Sequence, residues 1–347
     1  MKHHYFNPSA KFVKEPEDFN KYTEREKLQY CLGGMLYMPA TKEFAQAILG
    51  RKYSALTTMA MCFEDACEDD KVQAAEENVL KMLDTLAETI QIGGLSQDTI
   101  PLIFFRVRSV QQFKNFSQQL KPEHFKLIAG FIFPKFTSEN GYDYLSHLRF
   151  LNETYREPLY GMPILEDRNI AQKETRMEEL TAIRTALDTY KDFILNVRVG
   201  CTDISSCFGV RRKVFHTIYD VITVRDCLAD VLNVFHEYVV SGPVWEYFKT
   251  GINEEKDEDA MSGLLRELYL DRLNGFIGKT CIHPTQLPYV NQAFAVTEEE
   301  FEDANQILGM SSGVAKGSNK MNEAKPHRNW AKRILGRAAA YGVIEDR

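Results

Sequence analysis

Short apolar stretches recur along the chain, and most are followed by a segment whose apolar residues repeat every three or four positions. The short stretches are typical of buried strands, and the longer spacing is typical of one face of a helix. Parallel neighbouring strands need a helical crossover, so the alternation predicts a parallel α/β sheet. The predicted strands cover residues 29–38, 54–63, 101–108, 127–135, 159–166, 193–199, 238–241 and 275–283.

The number of predicted strands decides between two α/β folds that share this alternation. Eight strands favour a (β/α)8 TIM barrel over an open, doubly wound sheet, and such barrels commonly run to about 250 residues as one domain. We therefore divide the chain into an N-terminal lead-in at 1–28, a barrel at 29–296 and a C-terminal helical extension, an arm or lid, at 297–347. Residues 309–326 of that extension are rich in Gly, Ser and Lys, which predicts a segment too polar to pack.

Composition excludes several classes of partner. The formal net charge is -7, and without a basic stripe this argues against nucleic acid. Nowhere do 18 apolar residues run together, and the first residues have no apolar signal segment, so we expect a cytoplasmic protein without membrane contact. The seven cysteines include no Cys-x-x-Cys pair, which favours reduced thiols over disulfides or a zinc site.

Candidate chemistry lies where the predicted strands end. TIM barrels place their active sites at the C-terminal ends of the strands, so polar side chains there are the first candidates. Residues at these ends are Glu64, Asp65, Arg106, Arg108, Lys135, Glu166, Asp203, Lys279 and His283.

Two of these carboxylates follow neighbouring strands and form the candidate metal site. Glu166 ends the run 159–166, and Asp203 lies in Gly200-Cys-Thr-Asp, directly after the next run. Two carboxylates at adjacent parallel strand ends suit Mg²⁺, with water completing its ligand shell. The alternative is that each carboxylate caps the helix that follows it. We also expect Gly200 and Thr202 to contact a substrate bound beside Asp203.

Basic side chains at the same rim are candidates for binding an anion. Arg106 ends a strand, where a guanidinium can grip a carboxylate and stabilise an enolate; the alternative is an ion pair with Glu64 or Asp65. Arg108 is a second candidate, because strand alternation gives both arginines the same side. Lys135 either neutralises an anionic intermediate or pairs with Glu166.

A short basic cluster follows the Asp203 stretch in this otherwise acidic protein. Arg211, Arg212 and Lys213 are consecutive. One interpretation is a solvated loop. The other is a site for a phosphate group or for the tail of a thioester carrier.

Several segments together resemble a known family. They are 35–40 (MLYMPA), 63–66 (FEDA), 105–109 (FRVRS), 133–135 (FPK), 164–166 (ILE), 200–209 (GCTDISSCFG) and 275–286 (GFIGKTCIHPTQ). They occur in the order of the citrate lyase β-subunit family, a member of the HpcH/HpaI aldolase superfamily of carbon-carbon bond lyases. The chain looks most like the divergent branch of this fold associated with bacterial tellurium-resistance gene clusters.

The resemblance implies a mechanism and an assembly. It implies Mg²⁺ bound by Glu166 and Asp203, Arg106 on the substrate, and a small substrate that is a 2-oxo acid or an acyl thioester, in some relatives linked to coenzyme A. It also implies homotrimers or hexamers in which the C-terminal arm reaches a neighbouring site, with Glu323 in the place of the family's aspartate. Candidates for proton transfer are Glu64, a neighbour's Glu323 and a metal-bound water.

Departures from the family's pattern keep other functions open. Cys62 stands where the family has an aspartate, Arg108 replaces an asparagine, and 241–244 (SGPV) replaces a segment that contains an aspartate. These changes alter the rim that faces the substrate. The alternatives to a lyase of the family's usual type are therefore a degenerate barrel that acts as a scaffold or regulatory partner, and a lyase for a substrate linked to phosphate or a nucleotide.

Overall fold

A computed structural model of the protein describes residues 1–4, 11–317 and 320–345. These residues form thirteen strands and fourteen α-helices. The strands are β1 (Phe12–Lys14), β2 (Gly34–Pro39), β3 (Thr58–Cys62), β4 (Leu102–Arg106), β5 (Ile128–Phe133), β6 (Tyr160–Leu165), β7 (Val197–Val199), β8 (Val240–Ser241), β9 (Lys279–Cys281), β10 (Val296–Thr297), β11 (Val314–Lys316), β12 (Met321–Glu323) and β13 (Val343–Ile344).

The eight strands β2 to β9 form one parallel sheet, and this confirms the predicted TIM-barrel fold. Their order in the sheet follows their order in the chain, with β9 returning to pair with β2. All six residues of β5 and of β6 are buried. Burial on both faces is what a strand between a barrel interior and a helical layer requires, and it explains the continuous apolar runs in the sequence.

The barrel closes between β8 and β9 through only a few backbone hydrogen bonds. Strand β8 has two residues, and a single parallel bridge joins Gly242 to Lys279. Around that bridge the amide of Ile277 donates to the carbonyl of Val240 at 2.9 Å. The amide of Gly242 donates to the carbonyl of Gly278, also at 2.9 Å.

Helices follow most of the barrel strands and cover its outside. None of the described helices is long and apolar enough to span a membrane. The helices are α1 (Arg25–Leu28), α2 (Ala45–Leu49), α3 (Val72–Gln91), α4 (Val110–Ser117), α5 (Pro122–Phe125), α6 (Gly141–Tyr155), α7 (Arg168–Ala171), α8 (Lys173–Thr189), α9 (Cys201–Cys207), α10 (Ile222–Val234), α11 (Glu254–Asn274), α12 (Leu287–Ala293), α13 (Glu298–Gly309) and α14 (Arg328–Tyr341).

The two ends of the described chain meet in a small separate sheet. Strand β13 pairs antiparallel with β1 and parallel with β10. Beside it, α13 and α14 enclose a second apolar cluster. The lead-in and the C-terminal extension therefore contact each other.

The polar segment 309–326 packs, so the expectation that its composition prevents packing is wrong. Its described part forms an antiparallel hairpin of β11 and β12. Asn322 in β12 is buried, and its amide nitrogen donates to Asp303 and Gln306 of α13 at 2.7 Å each. A buried amide is stable when it is hydrogen-bonded, so polar contacts replace the apolar face that the sequence lacks. Residues 318 and 319 lie outside the described part.

Candidate functional site

A cavity of about 370 Å³ opens at the C-terminal ends of the barrel strands. This is the end at which TIM barrels carry their active sites. Six candidate residues from the sequence line it: Asp65, Arg106, Glu166, Gly200, Thr202 and Asp203. The other lining residues are Tyr37, Met38, Pro39, Cys62, Ala66, Ile164, Arg198, Val199, Val244, Thr280 and Ile282.

Glu166 follows β6 and is 4% exposed. Its Oε1 accepts a hydrogen bond from the amide of Lys135 at 2.9 Å and lies 3.6 Å from Nη2 of Arg106. Burial raises the pKa of Glu166 to about 7; the charge of Arg106 opposes this rise, and the charge of Asp203 adds to it. A divalent cation beside this carboxyl would favour the ionised form.

Asp203 lies in the first turn of α9, immediately after β7. Its carboxylate and that of Glu166 both line the cavity. The residue between strand and helix must be small, because a Cβ on Gly200 would lie 2.0 Å from Oε2 of Glu166. Glycine thus lets the buried carboxylate rest directly against the backbone next to Asp203.

The donor chemistry fits Mg²⁺ in the manner expected from the sequence. The described residues contain no group of three or more His, Cys, Asp or Glu side chains placed to hold a metal. Two carboxylates with water and substrate oxygens are nevertheless a common arrangement for Mg²⁺, which keeps several waters. Glu166 and Asp203 would be the protein ligands.

Arg106, at the end of β4, is held by three carboxylates. Its Nη2 contacts Oε2 of Glu64, Oδ2 of Asp65 at 2.8 Å and Oε1 of Glu166 at 3.6 Å. The ion pairs considered from the sequence are therefore present. Its Nε is buried without a hydrogen-bond partner among the described residues, while the side chain still lines the cavity.

Lys135, two residues after the end of β5, joins this charged cluster. Its backbone has a φ of 46°, a conformation that is uncommon for residues other than glycine and often occurs at functional sites. Its amide contacts Glu166, as described above, and its ammonium group contacts Oε1 of Glu64. Lys135 thus contacts Glu166 through its backbone amide and Glu64 through its side chain, whereas one interpretation of the sequence paired its side chain with Glu166.

Arg108 lies away from the cavity lining. Its guanidinium donates to the carbonyls of Phe63 and Cys67 at 3.1 and 3.2 Å and pairs with Asp69. These contacts hold the loop after β3. The structure therefore does not bring Arg108 to the position expected for a substrate-binding residue.

The basic cluster after α9 also lies outside the cavity. Arg211 is exposed and pairs with Glu246 at 3.1 Å. Arg212 is buried, lies 3.4 Å from Glu267 and stacks over the ring of Trp245. The interpretation of this cluster as a solvated loop is therefore wrong for Arg212, whose guanidinium is paired with a buried carboxylate inside the protein.

Arg212 belongs to a buried ionic network between α11 and the barrel. Lys279 contacts Glu267 at 2.9 Å and Asp271 at 2.7 Å, and all three side chains are fully buried. Burial raises the pKa of Asp271 to about 6, with Lys279 opposing the rise and Glu267 adding to it. Lys279 begins β9 instead of ending it and does not line the cavity, so its expected position at a C-terminal strand end is wrong and its contacts are structural.

Glu323 lies in β12, and its amide donates to Nδ1 of His327 at 3.1 Å. It does not line the cavity of its own chain. Its expected role in a neighbouring subunit's site concerns an assembly and stays a prediction.

Three polar residues of the cavity were missed from the sequence. Arg198 of β7, Tyr37 of β2 and Thr280 of β9 all line it. The missed signal is strand alternation: Arg198 stands between two valines, and if those face the helices the arginine faces the barrel interior.

The fold and the site together define the class of protein. The chain is a TIM barrel with carboxylates and an arginine gathered around a cavity at the C-terminal ends of its strands. A family model described as C-C bond lyase of the TIM-barrel fold matches residues 26–343. The protein belongs to that family, which confirms the family resemblance found in its sequence.

Solved structures with low sequence identity share the fold. CitE from Mycobacterium tuberculosis in complex with magnesium, acetoacetate and coenzyme A has a TM-score of 0.55 at 17% identity, covering 89% of this chain and 99% of that one. RipC from Yersinia pestis has a TM-score of 0.51 at 15% identity, covering 78% and 99%. The citrate lyase β subunit from M. tuberculosis with oxaloacetate and magnesium has 0.50 at 16%, covering 77% and 98%. A search of curated protein sequences finds no significant match.

Proposed function

We propose that the protein is a Mg²⁺-dependent carbon-carbon bond lyase that acts on a 2-oxo acid or an acyl thioester through an enolate. One observation carries the proposal: Glu166 and Asp203 line the same cavity as Arg106. Membership of the C-C bond lyase family supports the reaction class. Structures of the same fold contain magnesium with acetoacetate and coenzyme A, or with oxaloacetate, which supports the ligand class.

Each residue has a chemical role in this proposal. Glu166 and Asp203 would hold the Mg²⁺ ion, which when bound supplies Lewis-acid stabilisation of negative charge. Arg106 provides a fixed positive charge beside Glu166, so it offsets charge that develops on the substrate when the bond breaks or forms. Gly200 and Thr202 border the substrate next to Asp203.

Proton transfer is assigned among carboxylates near this centre. Glu64 is buried and contacts both Arg106 and Lys135, so it belongs to the same charged cluster as Glu166. Glu323 of a neighbouring subunit is the other protein candidate, and it requires the homotrimer or hexamer expected from the family resemblance. A general acid or base must be a titratable group near the reacting atoms; Glu64 lies beside Arg106 of this centre, whereas Glu323 would reach it only in such an assembly.

Calorimetric titration with Mg²⁺ tests the metal site. We expect the wild type to bind Mg²⁺, and Glu166→Gln and Asp203→Asn each to weaken binding more than about tenfold, because each removes a charged ligand. Asp192→Asn is the matched control, since Asp192 is exposed and lies before β7, at the opposite end of the strand from the cavity. Equal Mg²⁺ binding in all four proteins, or none in the wild type, would exclude the metal-dependent lyase and favour a scaffold or regulatory role.

A further inference from the structure

Arg198 is a buried arginine with no carboxylate partner in the part of the chain that the structure describes. It is 2% exposed in the middle of β7. Its Nη2 donates to Oγ1 of Thr280 at 2.7 Å, while its Nε and Nη1 have no hydrogen-bond partner among the described residues. A buried guanidinium in this state is costly, because desolvation is not offset by an anion. The side chain lines the cavity, so an anion in the cavity can reach it.

Tyr37 presents a second unused donor in the same place. Its ring lies 5.6 Å from Cζ of Arg198, and its buried hydroxyl has no partner among the described residues. Buried hydroxyls and guanidinium nitrogens are almost always hydrogen-bonded in folded proteins. Arg198 and Tyr37 are neighbours, line one cavity and have unused donors, which indicates a binding site for a ligand with acceptor oxygens.

The two cavity arginines therefore differ in function. Arg106 is held by the carboxylates of Glu64, Asp65 and Glu166. Arg198 forms no ion pair with a carboxylate of the described residues, and its one side-chain acceptor is a neutral hydroxyl. The cavity thus contains one arginine that is paired with carboxylates and one that has no carboxylate partner among the described residues.

We propose that Arg198, Tyr37 and Thr280 form a carboxylate subsite in this cavity. Arginine binds carboxylates with two parallel hydrogen bonds, Thr280 orients the guanidinium, and the Tyr37 hydroxyl donates a further bond. The substrate class is a 2-oxo acid with a second carboxylate. This class rests on the proposed function, in which Glu166 and Asp203 would hold the metal and the 2-oxo acid end of the substrate would lie beside them.

Matched pairs of ligands test the subsite. Oxaloacetate and 2-oxobutyrate, and likewise 2-oxoglutarate and 2-oxopentanoate, differ only by a terminal carboxylate in place of a methyl group. In calorimetry with Mg²⁺, the wild type should bind each diacid about 10- to 100-fold more tightly than its partner, as expected for a hydrogen-bonded charge pair. Arg198→Met should lose this preference and keep its affinity for the monoacids and for Mg²⁺. Arg225→Met, which changes an exposed arginine of α10, should retain the preference.

Three results would overturn the subsite. They are an equal preference in wild type and Arg198→Met, no preference in the wild type, and competition by inorganic phosphate at concentrations where succinate does not compete. The last result would assign the arginine to a phosphate group.

Succinate without Mg²⁺ separates failure of the subsite from failure of the proposed function. It has two carboxylates and no 2-oxo group, so its binding needs only the arginine. If no 2-oxo acid shows Mg²⁺-dependent binding but Arg198→Met abolishes succinate binding, the lyase proposal fails and the subsite stands. If the wild type does not bind succinate either, the subsite fails as well.

Stability without ligand provides a readout that is independent of binding. Because Arg198→Met removes an unpaired buried charge and keeps an unbranched side chain, we expect it to melt at or above the wild-type temperature. Lower stability would show that the arginine serves the fold. If the methionine variant does not fold, Arg198→Lys retains the charge without the paired donors, and a full wild-type preference for diacids in that variant contradicts the proposal.

Discussion

At the scale of single residues, the position of Glu166 depends on the absence of a side chain at Gly200. The two residues follow neighbouring strands, β6 and β7, and the carboxylate occupies the space that a Cβ would need. A carboxyl group buried this closely has few alternative positions, since interiors are close-packed. The proposed metal site therefore depends on the glycine as well as on the two acids.

Substitution of Gly200 by Ala should test this dependence. The added Cβ would lie 2.0 Å from Oε2 of Glu166, so we expect the carboxylate to move, stability to fall by about 1–3 kcal/mol and Mg²⁺ affinity to fall with it. Denaturant unfolding and calorimetry measure the two effects. Gly309→Ala is the control, because no atom lies within 4 Å of its Cβ position. Unchanged Mg²⁺ affinity in Gly200→Ala would show that Glu166 is not confined.

The sequence predicted some residues of the candidate site and not others, and the physical reasons differ between residues. Glu166, Asp203 and Arg106 could be found because strand ends converge in a barrel. Whether a particular side chain turns into the cavity or onto a loop depends on local partners, as for Arg108. Arg198 was predictable from alternation, but arginine in a strand interior contradicts the usual preference for exposed charge.

At the scale of secondary-structure elements, the hairpin of β11 and β12 shows how a polar segment becomes ordered. Lys320 contacts Glu299 and Asp303 at 2.9 and 2.8 Å, and Asn322 binds the same helix, α13. The sequence predicted that the extension at 297–347 is helical, which α13 and α14 agree with. It could not predict the hairpin, since contacts between distant polar side chains leave no periodic pattern.

Replacing Asn322 by Ala should loosen the hairpin selectively. The variant loses two hydrogen bonds, so Gln306 and Oδ1 of Asp303 lose this donor, which costs about 1–3 kcal/mol. We expect faster hydrogen exchange in 314–316 and 321–323 and unchanged exchange in β3 to β6. Met321→Ala alters the neighbouring side chain, which is 55% exposed, and should leave exchange unchanged. Equal protection in both variants would mean that the backbone pairing alone orders the hairpin.

At the scale of the whole molecule, the first residues connect parts that are distant in the chain. The buried His3 forms a hydrogen bond with the carbonyl of Cys31 at 2.9 Å and another with Thr57 at 3.2 Å. Its ring stacks on Tyr341 of α14, with centroids 4.7 Å apart. One side chain therefore joins the lead-in, the barrel and the C-terminal helix.

This histidine should make stability depend on pH. Burial lowers the pKa of His3 from 6.5 to about 3, with the charges of His4 and the N-terminus adding to the effect and the Cys31 carbonyl opposing it. On lowering the pH, the imidazole of His3 therefore binds a proton near pH 6.5 in the unfolded chain but only near pH 3 in the folded chain. The stabilisation is complete above pH 6.5 and is lost progressively as the pH falls towards 3.

Melting temperatures between pH 7 and pH 4 measure this effect. We expect His3→Gln to lose less stability than the wild type over that range, because glutamine does not titrate. His236→Gln should follow the wild type, since His236 is exposed. Parallel curves for all three proteins would contradict a buried neutral His3.

The contact between β8 and β9 is short, which distinguishes this pair of adjacent strands from the other seven pairs in the barrel. Elsewhere strand pairing holds neighbours together, but here Asp271 lies against Gly242, where a Cβ would be 2.8 Å from its carboxylate, and reaches Lys279 beside it. Beside the few backbone hydrogen bonds of this strand pair, a buried ion pair therefore attaches β9 to α11. Salt hardly screens a buried ion pair, so high ionic strength should leave this attachment of β9 intact.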